Sequence, residues 1–208
     1  MNAIFLSASV PEPGRGDYHE TTDVTLIQFA VSALVTVALG RRLIVWGGHP
    51  GITPVIRAAA EDLGVDYSAW VRLYQSHYFD GKFPDDNKAF GNVTYTDGVA
   101  DDKAASLALM RREMIGAYDY GAAVLIGGMD GTEAEVEMFA ELHTKAPIIS
   151  VASTGGAALK VHEKLHTLDD ATAMSLDYLG LFYRSLKINP RDKRCDSSVG
   201  TGGSSSTS

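Results

Sequence analysis

Two segments constrain this chain more than anything else in it, LIVWGGHPGITPVIRAAAEDLG at residues 43–64 and AAVLIGGMDGTEAEVEMFAEL at 122–142. In each, a short apolar run of strand length passes through glycines into a helical pattern, the way a parallel strand turns into the helix that covers it. The same alternation continues on either side. Strands are expected at Ala3–Ser7, Leu43–Trp46, Trp70–Tyr74, Ala122–Ile126 and Pro147–Val151. Helices are expected from a cap at Thr22 or Asp23 to Gly40, over Ile52–Leu63, from a cap at Asp101 to about Tyr118, over Thr132–His143, and near 156–166 and 170–186. Repeated βαβ units of this kind give an α/β chain, a three-layer open parallel sheet with helices on both faces.

The 208 residues, 45% of them hydrophobic, suffice for one sizeable core and fall short of two, so a single domain over 1–188 is expected. Residues 189–208 are rich in Ser, Gly and charge and are expected to be a disordered tail. Residues 75–100 hold five aromatics, three glycines and one proline without clear periodicity, which suggests a lid. A net charge of −8 offers no basic footprint for nucleic acid or an anionic membrane, so a small mobile ligand is the better fit. The stretch Leu26–Gly40 is too short to cross a bilayer and reads as a buried helix. Cys195 is the single cysteine, which leaves no disulfide framework and suits a reducing, cytoplasmic setting. His77, His143, His162 and His166 show no metal spacing, and neither a metal nor a cofactor is expected.

Ligands of open parallel sheets lie beyond the carboxyl ends of the strands, where both glycine turns fall. In the first turn Gly47, Gly48, His49, Gly51 and Thr53 are the ligand-binding candidates. The second supplies Gly127, Gly128, Met129, Asp130, Gly131 and Thr132. Helix N-termini there favour a phosphate, although glycines also make ordinary connectors. Ser7 and Ser9, at the end of the first strand, can turn hydroxyls toward the same ligand. Thr132 and Glu135 form T-x-x-E, and spacing alone favours a capping box; the functional alternative points Glu135 into the pocket as a carboxylate for a sugar cation or a water. Arg111 shares a stripe with Leu107, Met114 and Tyr118 and can reach round to the sheet edge, whereas Arg112 is turned away.

Taken in order, IVWGGHPGITP, the helix containing MRREM, and AAVLIGGMDGTEAE resemble the SLOG superfamily, which groups the LOG phosphoribohydrolases, the DprA/Smf proteins and domains of bacterial conflict systems. The likeness covers about residues 3–165 and implies a Rossmann-like fold and a homodimer. It puts Glu135 on the catalytic glutamate, Arg111 or Arg112 on the motif arginine, and Gly127, Gly128, Gly131 and Thr132 on the phosphate turn. Ile126 stands where the family has proline, and one extra residue separates the two halves of the glycine motif. A helix over Val24–Leu39 that is apolar round most of its circumference also argues for a dimer.

Three functions fit. The first is a nucleotide N-glycosidase of the phosphoribohydrolase kind, with Glu135 and Arg111 catalytic. The second is a sensor of a nucleotide or a cyclic ADP-ribose-like signal in a bacterial conflict or signalling system, using the same residues without chemistry. The third is a deoxyribosyltransferase-like or TIR-like NAD-processing enzyme, which ranks below the others because those families lack the WGGHPGITP element.

Overall fold

The computed structural model describes residues 2–195 and carries side chains. Its first strand, β1 (Ala3–Ser9), shows how the sequence builds the layers. Ile4 and Leu6 point into one core and Ala3 and Phe5 into another, because side chains alternate across a strand. Ser7 therefore emerges on the face that Phe5 occupies. Five further strands complete the sheet: β2 (Ile44–Trp46), β3 (Val71–Ser76), β4 (Val93–Thr96), β5 (Tyr120–Gly127) and β6 (Ile148–Val151). All pairs are parallel, in the order β4-β3-β2-β1-β5-β6. The winding reverses beside β1, so the crevice outside the ends of β1 and β5 is the place such sheets offer a ligand.

Helices cover both faces, as expected. On one side lie α1 (Val24–Ala38), α2 (Thr53–Asp62) and α8 (Tyr178–Ser185), whose apolar residues join Ile4, Leu6 and Trp46. On the other, α4 (Lys103–Gly116) and α5 (Asp130–Leu142) pack Met110, Met114 and Phe139 against Phe5, and Val136 of α5 meets Val161 of α6 (Gly156–Leu165) over Leu125. Two short helices, α3 (Tyr67–Trp70) and α7 (Asp170–Ala173), complete the set described. Asp23 caps α1 by accepting from the N–H groups of Thr25 at 2.8 Å and Leu26 at 3.1 Å. Among the described residues no helix is long and apolar enough to cross a membrane.

Three expectations change. The segment at 75–100 is not irregular throughout: it holds 3-10 turns at His77–Phe79 and Asp85–Ala89 and the edge strand β4. The V-T-Y-T run of β4 has strong strand character, hidden by the aromatic loop around it. The apolar circumference of α1 has a partner within the chain, because Tyr178, Leu181 and Phe182 of α8 share a core with Ile27, Val31 and Leu34. That helix by itself no longer calls for a dimer.

The third change concerns the start of the expected tail. Residues 189–195 pack against the end of α1, and the rest of the tail lies outside the described residues. The Arg194 guanidinium donates to the carbonyls of Thr36 and Leu39, and the Cys195 N–H donates to Gly40 O at 2.8 Å. Arg41 reaches back, donating to Asp192 O at 2.9 Å and to Val37 O at 3.0 Å. A helix C-terminus leaves carbonyls without partners, and these cations supply them. Composition flagged the segment as polar without revealing that its arginine had helix-end acceptors to meet. Arg194→Ala is expected to lower the unfolding free energy by about 1–2 kcal/mol in urea titrations; an unchanged midpoint would mean that the strap adds nothing.

Candidate functional site

The odd residues of β1 carry Ser7 to the sheet edge on the α4/α5 side. There it meets two residues of α5, one of which is held in turn from α4. Ser7 Oγ donates to Glu135 Oε2 at 2.5 Å and lies 3.1 Å from Thr132 Oγ1. From α4, Arg111 Nε donates to Glu135 Oε1 at 3.2 Å. Both oxygens of the carboxylate are thus engaged, and the side chains of Arg111 and Glu135 are 19% and 14% exposed, too little to be a surface ion pair.

This differs from the capping-box reading of Thr132 and Glu135. α5 begins at Asp130, with Met129 at the cap position and no side-chain cap. The helix starts two residues earlier than expected, so Thr132 and Glu135 lie inside it, and both turn toward β1 instead of toward the helix's own amides. Gly131 makes the approach of Arg111 possible: a Cβ there would stand 2.6 Å from Arg111 Nη2.

Above the carboxylate is a cavity of about 230 Å³. Of the candidate residues, Ser7, Ser9, Gly47, Gly48, His49, Arg111, Met129, Gly131, Thr132 and Glu135 line it. The others do not. Gly51 backs onto Val10 and His49, and Thr53 is fully buried with its hydroxyl donating to His49 O at 3.1 Å. Arg112 is exposed outside the cavity, and Asp130 pairs with Arg15 at 2.7 Å. Gly127 and Gly128 have spent their amides elsewhere: Gly127 N–H donates to Thr154 Oγ1 at 2.8 Å and Gly128 N–H to Ser9 O at 2.9 Å. The expectation that these two amides cradle a phosphate is corrected accordingly. Their φ angles of 59° and 90° show what the glycines are for, a left-handed exit from β5.

Cations that sequence reading missed stand at the same cavity. Arg15, half exposed, comes from the loop after β1, and Lys103 from the first turn of α4 makes no ion pair among the described residues. Neither has a periodic pattern around it that would have pointed to the site. With Arg111 they bring three cations to one cavity of a chain whose net charge is −8, two of them already paired with Asp130 and Glu135, which favours an anionic ligand here. His49 adds a neutral donor. Burial pushes its pKa below the usual histidine value, and because Nδ1 accepts from Gly51 N–H at 3.2 Å, the ring proton resides on Nε2.

The Glu135 carboxyl is pushed above its ordinary range by burial, against the opposing pull of the Arg111 charge and the Ser7 hydrogen bond. An acid weaker in the folded than in the unfolded chain stabilises the fold fully below the unfolded pKa and loses that contribution as pH rises through the folded pKa. Glu135→Gln has no proton to lose there. Its melting temperature should therefore gain on that of the wild type as pH rises from about 4.5 toward neutrality; parallel pH profiles would show that the carboxylate bears no net burial penalty.

The histidines also differ from the reading of their spacing. His162, His166 and Asp170 come together at the far end of α6, with ligand-capable atoms within 4.8 Å of one another. His162 Nε2 lies 3.1 Å from Asp170 Oδ1, which ties α6 to α7. His77 pairs with Asp80, and His143 bonds to Ile115 O at 2.7 Å.

Residues 17–186 match the SLOG cluster3 family. No curated protein matches the chain. Among solved structures it is similar to the crystal structure of TM1055, a target of the Northeast Structural Genomics Consortium, with a TM-score of 0.44 and 15% identity over 83% of this chain and 89% of that one.

Proposed function

The chain belongs to the SLOG cluster3 family, and on that premise we propose that its cavity binds a nucleotide and hydrolyses the bond between base and sugar. The observation that carries this reading is Glu135, a desolvated carboxylate at the floor of a cation-lined cavity, held by Ser7 and Arg111. Burying a charge costs stability, and such costs are retained where they serve a ligand or a reaction.

In this reading Arg15 and Lys103 take the phosphate, with the His49 Nε2–H as a further donor. That assignment replaces the amides of Gly127 and Gly128, which are already bonded. The sugar lies over Glu135. As the C1′–N bond breaks, positive charge grows on the ring, and a carboxylate fixed beneath it is stabilising without reorganisation. A water oxygen bonds to C1′ and surrenders a proton to Glu135, whose raised pKa makes it a better base than an ordinary glutamate. The base departs with the electron pair of the bond and takes a proton from solvent, and Glu135 returns the water's proton to solvent, leaving a free base, a sugar phosphate and the carboxylate restored.

One observation favours the sensor reading: both carboxylate oxygens of Glu135 already accept hydrogen bonds, as they would in a site that only holds ribose hydroxyls. Chromatography of nucleoside monophosphates and NAD incubated with the purified chain separates the two. Release of free base above a no-protein control is the expected result. Saturable binding without release would leave the sensor standing and remove the enzyme.

A further inference from the structure

The cavity over Glu135 adjoins a second hollow of about 230 Å³, the two sharing Gly47, Gly48, Phe79, Leu107 and Met110. Their chemistry differs. The first has the carboxylate, three of the cations and most of the hydroxyls. The second is walled mainly by Phe79, Phe83, Pro84, Leu107 and Met110, with Ser76 and Lys82 also lining it, a slot suited to a flat body with apolar faces. A nucleotide has the same two parts, an ionic sugar phosphate and a stacking base.

Besides Ser76 and Lys82, two amides interrupt the apolar wall. Asn87, in the turn Asp85–Ala89, is only 5% exposed, yet neither its Nδ2 nor its Oδ1 has a hydrogen-bond partner among the described residues. A buried amide left wholly unpaired is costly and calls for a reason. Gln75, at the end of β3, is the second. Its Nε2 donates to Gly47 O at 2.9 Å, which fixes the orientation of the amide and leaves Oε1 to accept. Gly48 gives it room, since a Cβ there would stand 2.1 Å from Gln75 Nε2.

We infer that this hollow is the base subsite and that Asn87 and Gln75 together select a base bearing an exocyclic amine beside a ring nitrogen, the edge shared by adenine and cytosine. The inference rests on the nucleotide reading above. One amine hydrogen goes to Asn87 Oδ1 and the other to Gln75 Oε1, while Asn87 Nδ2–H donates to the ring nitrogen. Asn87 satisfies its orphaned donor and acceptor at once. It could turn over to suit an oxo base, but Gln75 cannot, because Gly47 holds it; an oxo group would set oxygen against oxygen. Gln75 therefore decides which edge is accepted, and Asn87 supplies much of the strength. The sequence gives little hint of this, because the asparagine lies in a loop without periodicity and acquires meaning only when the turn folds beside the hollow that Gln75 also lines.

The test is calorimetry on the full chain with AMP, IMP, CMP, UMP and ribose 5-phosphate. AMP should bind at least about tenfold more tightly than IMP, and CMP than UMP. Asn87→Leu should weaken AMP about tenfold or more, leave ribose 5-phosphate unchanged, and melt higher than wild type without ligand, because an unpaired buried amide has been removed. Asn87→Ser, a smaller change, should weaken AMP likewise and serves if the leucine variant does not fold. Equal affinities for AMP and IMP, or an AMP affinity indifferent to both variants, would overturn the base assignment while ribose 5-phosphate binding left the sugar-phosphate site intact. If none of the five binds, the nucleotide reading and this inference fall together.

Discussion

Glu135→Gln should slow base release by about a hundredfold or more while nucleotide affinity changes little. Glutamine keeps the length of the side chain and an oxygen for the Ser7 hydroxyl or for Arg111, so the walls of the cavity stay in place. What it lacks is charge. The interaction between a carboxylate and the sugar ring strengthens only as the glycosidic bond breaks, so its loss appears in turnover and not in ground-state binding. Single-turnover base release, set against calorimetric affinity, makes the comparison. A variant that releases base as fast as wild type would leave Glu135 a structural link between β1, α4 and α5, and the proposed chemistry would have no centre.

That experiment also distinguishes the two meanings of T-x-x-E. In the linear sequence the pattern is a helix cap, and nothing local contradicts it. Only the register of α5 does, because the helix begins at Asp130, and a shift of two residues turns a cap into a pair of side chains facing β1. Element types were legible because they rest on periodicity and on glycine stops, both local. The six-stranded parallel sheet follows from them, apart from β4, whose four residues were masked by the aromatic loop. The site was legible only in part. Residues on β1 and on the turns could be named because parallel sheets present their strand ends to ligands. Arg15, Lys103 and Asn87 come from loops or a helix start, and chain geometry brings them in with no pattern to announce it. The strap at 189–195 is the same case: its polarity was read as disorder, whereas its arginine meets the bare carbonyls of α1.

The glycine turns give the second large effect, and they divide by backbone angle instead of by motif. Gly128→Val is expected to cost several kcal/mol of stability, enough to unfold a chain of ordinary marginal stability. Its φ of 90° lies where side chains are strained, and its Cβ would stand 2.3 Å from Thr132 Oγ1, a side chain held in place by Ser7. Gly131→Ala should behave in the opposite way. Gly131 lies in the first turn of α5, where alanine favours the helix by up to about 1 kcal/mol. Its Cβ would meet the Arg111 guanidinium, Nη2 at 2.6 Å and Cζ at 3.7 Å, the far end of a flexible side chain. The fold survives and Arg111 swings aside, giving up its 3.2 Å bond to Glu135. Base release should then fall by about tenfold or more with the melting temperature held or raised. Thermal melts and free-base assays on the two variants read the contrast directly. A stable Gly128→Val would refute the packing account of the second turn, and a fully active Gly131→Ala would show that the position of Arg111 is immaterial to the reaction.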